Sequence, residues 1–113
     1  MIMKINTYKP LDEGCYEFTL NSIEEKETIY GNRLMWLFEE MEQGVEVAGF
    51  TSLSSSTQAN AYIWALVLNP EIQNQKIWTE EDVVGRRCCL RVEVVQGSKG
   101  PKNKIVEVLP LKE

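Results

Sequence analysis

The feature that most constrains this chain is the order of its hydrophobic periods: period two three times, one helical stretch, then period two twice more. A period of two puts alternate side chains on opposite faces of a strand, whereas repeats at three and four positions share one helix face. From Gly14, the apolar Tyr16, Phe18 and Leu20 alternate with Glu17, Thr19 and Asn21, which predicts a half-buried first strand. The phase slips near Ser22, where Ile23 takes the next apolar place, so a β-bulge is expected there. Glu24-Glu25-Lys26-Glu27 then leaves the core, and Tyr30-Gly31-Asn32 supplies a turn. Residues 33–41 read as a second strand that is apolar on both faces, with Leu34, Trp36 and Phe38 in one row and Met35, Leu37 and Met41 in the other. Glu42-Gln43-Gly44 turns the chain into a third strand over residues 45–53, which makes strands two and three a hairpin.

Ser54-Ser55-Ser56-Thr57 offers several hydroxyls for an N-cap, and Ala59, Tyr62, Ile63, Leu66 and Val67 follow at helical spacing until Asn69-Pro70 stops them. Thr79-Glu80-Glu81-Asp82 has the spacing of a capping box, and Gly85 ends the short turn it begins. A fourth strand is predicted over residues 87–95, a loop over 96–103 and a last strand over 104–109, closed by Pro110. Three strands cannot close a barrel by themselves. A helix plugging one end before two further strands predicts a mainly β, five-stranded Greek-key OB-fold barrel, with the helix between strands 3 and 4. At 113 residues the chain is one domain, with residues 1–13 as a lead-in and 14–109 as the barrel.

Charge is the second constraint. The chain carries a net −5, which argues against a generally adhesive polyanion binder. Between residues 86 and 104, however, Arg86, Arg87, Arg91, Lys99, Lys102 and Lys104 stand against Glu93 alone, a net +5 that leaves −10 on the remainder. There is no histidine, so no Ser/His or Cys/His nucleophile and no histidine-containing zinc pattern can be assembled, and neither catalysis, metal nor cofactor is expected. Carboxylate pairs such as Glu24-Glu25 and Glu39-Glu40 read as solvated charge beside turns. Cys15, Cys88 and Cys89 read as reduced, half-buried strand cysteines, because adjacent strand positions face opposite ways. No run approaches the ~20 apolar residues of a membrane helix. The opening Met1-Ile2-Met3-Lys4 does not read as a secretory signal, and a cytoplasmic location without membrane contact is expected.

Several segments together carry a resemblance. They are Tyr8-Lys9-Pro10 before Glu13-Gly14-Cys15-Tyr16, Tyr30-Gly31-Asn32 before the apolar strand, and the helix ending near Leu66-Val67-Leu68. To these are added Glu81-Asp82-Val83-Val84-Gly85-Arg86-Arg87 entering a strand, and Lys102-Asn103-Lys104-Ile105-Val106 opening the last one. In this the chain resembles the small OB-fold single-stranded DNA-binding proteins of bacteriophages and prophages. The resemblance implies a non-catalytic accessory of phage or mobile-element replication or recombination.

Binding a single strand without sequence choice needs cations along the backbone and flat rings for the bases. The candidate cations are Arg86, Arg87, Arg91, Lys99, Lys102 and Lys104; the candidate rings are Trp36, Phe38 and Phe50. Core packing is the competing reading for Trp36 and Phe38; if their row faces inwards, Met35, Leu37 and Met41 face outwards and offer a homodimer contact. Tyr30 and Trp78 lie near turns and are secondary ligand candidates. Gly97-Ser98-Lys99-Gly100 matches the GxxG of another RNA-binding module, but that loop joins helices and this one joins strands. Two functions remain: a binder of single-stranded DNA (or RNA), favoured by the basic segment, and a protein-interaction module on the same barrel, favoured by the acidity of the whole.

Overall fold

A computed structural model describes residues 10–54 and 56–111. Most of the expected lead-in, together with Ser55, lies outside them. The chain forms β1 (Gly14–Thr28), β2 (Gly31–Glu40), β3 (Glu46–Thr51), α1 (Asn60–Leu68), β4 (Arg87–Gly97) and β5 (Gly100–Leu109). The five strands make one antiparallel sheet in the order β3-β2-β1-β4-β5. The expected element order and mainly β class therefore hold. The sheet is not closed: no ladder joins β3 to β5.

β1 is the organising strand because it has two partners. Its first residues, Gly14 to Thr19, pair with β4, while the stretch from Phe18 to Thr28 pairs with β2. The expected bulge is present, as the β1–β2 register skips between Leu20 and Ser22. At that point the Leu20 N–H donates to Arg86 O at 3.0 Å, and Gly85 N–H donates to Leu20 O at 2.8 Å. Gly85 takes φ +88, a left-handed conformation that strains any residue with a Cβ. The acidic run Glu24 to Glu27 leaves the core as expected, yet it stays paired with β2, so the β1–β2 hairpin projects beyond the body.

Inside the curl lie Phe18, Leu20, Trp36, Phe38, Leu90 and Val92, all fully buried. Rings fill its centre: Trp36 stacks on Phe38 at 6.5 Å and meets Trp64 edge-on at 5.4 Å, while Trp78 sits 6.0 Å away. The Trp36 indole N–H donates to Thr51 Oγ1 at 2.9 Å, which satisfies the one polar atom of a buried side chain. Leu11, ahead of β1, is held by a side chain. Asn103 Oδ1 accepts from the Leu11 N–H and its Nδ2 donates to Leu11 O, both at 2.8 Å, and Leu11 is buried.

Three local expectations are corrected. The helix buries Ala61, Ala65 and Leu68, none of them in the expected set; of Ala59, Tyr62, Ile63, Leu66 and Val67, only Tyr62, Leu66 and Val67 pack against the core, half-buried, and Ile63 is exposed. Apolar residues lie on all its sides, so periodicity could not choose between faces. Its N-cap is Ala59 without a side-chain hydrogen bond; Ser52, Ser54 and Ser56 instead accept from the N–H two residues on, forming turns of their own. The loop expected over residues 96–103 is a tight hairpin, with Gly97 paired to Gly100 and only Ser98-Lys99 turning. Elsewhere the expectations stand: Asn69 ends the helix and caps the following 3-10 turn by accepting from Glu71 N–H, and Thr79 with Asp82 forms the capping box.

Candidate nucleic-acid interface

Among the described residues, two of the six expected cations make ion pairs, and Arg86, Lys99, Lys102 and Lys104 make none. Arg87 leads β4 on the outer side of the sheet, and its guanidinium lies 3.5 Å from Glu17 of β1. Arg91 lies 3.3 Å from Glu107 of β5. Both pairs are solvent-exposed, and such pairs contribute at most ~1 kcal/mol, but they neutralise the cation locally. Arg86 is exposed at the start of the same strand. Lys99 sits in the turn beyond the far end of that 11-residue strand, which spans roughly 35 Å when extended. The basic segment is consequently not one rim. Lys102 and Lys104 form a separate group on β5; with Lys99, they make no ion pair among the described residues.

The rings are likewise sorted. Trp36 and Phe38 are 0% exposed, so the structure corrects their candidacy: they form the core, and no base can reach them. Phe50 is 48% exposed on β3. Strand alternation separates these outcomes, because Phe50 lies across from Met35 on the outer side, whereas Trp36 lies across from Gly49 on the inner side. Tyr30 is exposed at the tip of the first hairpin with the Arg33 guanidinium over its ring at 5.7 Å, and half-buried Trp78 packs on Trp36.

What brings a ring and cations together is the unclosed seam. The edges of β3 and β5 face one another across a cleft of about 630 Å³, lined by Phe50, Gly49, Asn60, Trp64, Lys102 and Lys104 among others. Trp64 and Asn60 are site residues that sequence reasoning missed. Trp64 belongs to the helix, on the same face as the buried Ala61, Ala65 and Leu68 and not among the residues expected from periodicity, and it rests over Gly49, which has no side chain. A Cβ there would lie 2.7 Å from Ile105 Cδ1 and 2.8 Å from Trp64 Cη2. The cleft is not purely cationic, since Glu46 contributes to its lining and Glu93 stands across the β4–β5 ladder from Lys104.

Of the cysteines, Cys88 is buried in the core, Cys89 is half-buried, and Cys15 is exposed. Burial, and secondarily the neighbouring Cys89, pushes the Cys88 thiol up from 9.0 to about 12, so it is a neutral packing group at any physiological pH. No described helix is long and apolar enough to cross a membrane. No protein-family model matches the chain, and no curated protein matches it at a significant level.

Proposed function

We propose that this chain is an OB-type barrel that binds single-stranded nucleic acid, DNA in the first instance, along the seam between β3 and β5. The strand order, with the helix between β3 and β4, supports the OB reading, because the two edges that such a barrel would join are the two that face each other here. One observation carries the function: Phe50 and Trp64 line the same cleft as Lys102 and Lys104, and neither lysine makes an ion pair among the described residues, although Glu46 shares the lining and Glu93 stands across from Lys104. Rings on which bases stack and cations that track phosphates are the two requirements of sequence-tolerant strand binding. The role is binding, not catalysis, and the resemblance to phage and prophage single-strand binders gives it a setting in replication or recombination.

Titration with oligo(dT), followed by tryptophan fluorescence, tests the reading, since Trp64 lies in the cleft. Quenching is expected at low salt. With Lys99, Lys102 and Lys104 as the phosphate contacts, log K should fall with log[salt] at a slope of about −2. Absence of any quenching at ~100 μM protein in low salt rejects strand binding and leaves the protein-interaction module.

A further inference from the structure

The outer side of the β2–β3 hairpin is ordered along its length. On β2 it reads Arg33, Met35, Leu37, Glu39; on β3, Phe50 lies beside Met35, Ala48 beside Leu37 and Glu46 beside Glu39. Met35 and Leu37 are half-buried, while Ala48 and Phe50 are exposed. The face is thus cationic at one end, apolar in the middle and anionic at the other. Arg33, Glu39 and Glu46 make no ion pair among the described residues. The helix packs on the opposite, inner side, where Trp64 meets Trp36 and Phe38, so it does not cover this face.

We infer that this face docks a second copy of the same chain. The argument is one of symmetry. A two-fold axis lying in the interface, perpendicular to the strands and crossing between the Met35 and Leu37 rows, reverses the strand direction in the second copy. Arg33 then lies over the partner's Glu39, and Glu39 over the partner's Arg33, because the two are equally distant from the axis. The same operation sets Met35 over the partner's Leu37 and the large Phe50 over the small side chain of the partner's Ala48. The Arg33 and Glu39 charges and the Phe50 and Ala48 sizes are therefore self-complementary under one operator, as an isologous interface requires, while Glu46 meets no cation there. Two sheets packed in this way lie ~10 Å apart with strands nearly aligned. Two strands and four rows cover a footprint of only about 10 Å by 20 Å. This is small beside the ~800 Å² per partner of a standard complex, so the dimer is weak and concentration-dependent. Because Phe50 also lines the seam, a docked copy takes away a ring that the proposed strand-binding site uses.

Sedimentation equilibrium without nucleic acid, between ~10 μM and ~1 mM protein, tests this independently of the strand-binding reading. Reversible dimerisation is expected. Arg33→Glu or Glu39→Arg alone should weaken it at least tenfold, since symmetry counts each substitution twice; the double variant should return it to within about threefold of the wild type. Arg33 is exposed and Glu39 half-buried, so thermal unfolding of each variant is measured to exclude loss of the fold, and Ala48→Glu serves as a second, steric block. A chain monomeric throughout this range, or a dimer indifferent to these changes or not restored by the double variant, overturns the inference.

Discussion

The β1–β4 side of the sheet and the β3–β5 seam use the same residue types to opposite ends. On the first side, rings point inwards and arginine faces carboxylate: Phe18 is buried and Arg87 of β4 meets Glu17 of β1, while Arg91 of β4 meets Glu107 of β5 on the outer face. At the seam, Phe50 and Trp64 line a cleft, and Lys102 and Lys104 have no such partners among the described residues. The difference is one of contact distance and not of strand position, since Glu107 on the edge strand β5 reaches Arg91 while Glu93, across the same ladder from Lys104, makes no ion pair with it.

The contrast can be broken most forcefully through the rings. Trp36→Ala should cost about 3–5 kcal/mol in stability, because it empties the centre of the core and orphans Thr51 Oγ1. Phe50→Ala should cost less than ~1 kcal/mol in stability yet lose about 1–3 kcal/mol of oligo(dT) affinity. Denaturant unfolding and titration measure the two quantities, and a large stability loss at Phe50 would erase the distinction. Cys88 sharpens the closed side. Its thiol ionises near 9.0 when the chain is unfolded but only near about 12 when folded, so above pH 9 the unfolded state has lost a proton that the folded state keeps. Stability contributed by this group is therefore present below pH 9 and declines as pH rises towards 12, by up to ~1.4 kcal/mol per pH unit. Cys88→Ala should flatten that part of the stability-against-pH curve; an unchanged curve would show that the thiol is not secluded. The smallest effect separates the cations. Lys102→Gln with Lys104→Gln should reduce the salt slope by about 1.4, while Arg87→Gln with Arg91→Gln should leave it unchanged. Equal effects would mean that the carboxylates do not neutralise the arginines.

Local chemistry made much of this fold legible. The bulge after Leu20 showed as a break in alternation, the capping box at Thr79 as a spacing, and the end of α1 as Asn69-Pro70. What stayed hidden depends on residues far apart in the chain. Glu17 neutralises Arg87 across 70 positions, and Asn103, which reads as part of a loop, clasps Leu11 across 92. The inward row of β2 could not be chosen from a strand apolar on both sides; the choice is made by the helix, whose Trp64 meets Trp36. Trp64 itself was overlooked because nothing in its neighbourhood of sequence announces the bare Gly49 against which it rests.

That bare position sets how the groove can respond to an occupant. Among the described residues the Ile105 and Trp64 side chains lie over Gly49 between β3 and β5, and no rung of backbone bonds joins the two strands. Prising the two strands apart forfeits dispersion contacts and leaves every ladder intact, so the width of the opening is compliant while the scaffold on either side stays stiff. Under the proposed reading, such a jaw would accept a two-ring purine about as cheaply as a one-ring pyrimidine.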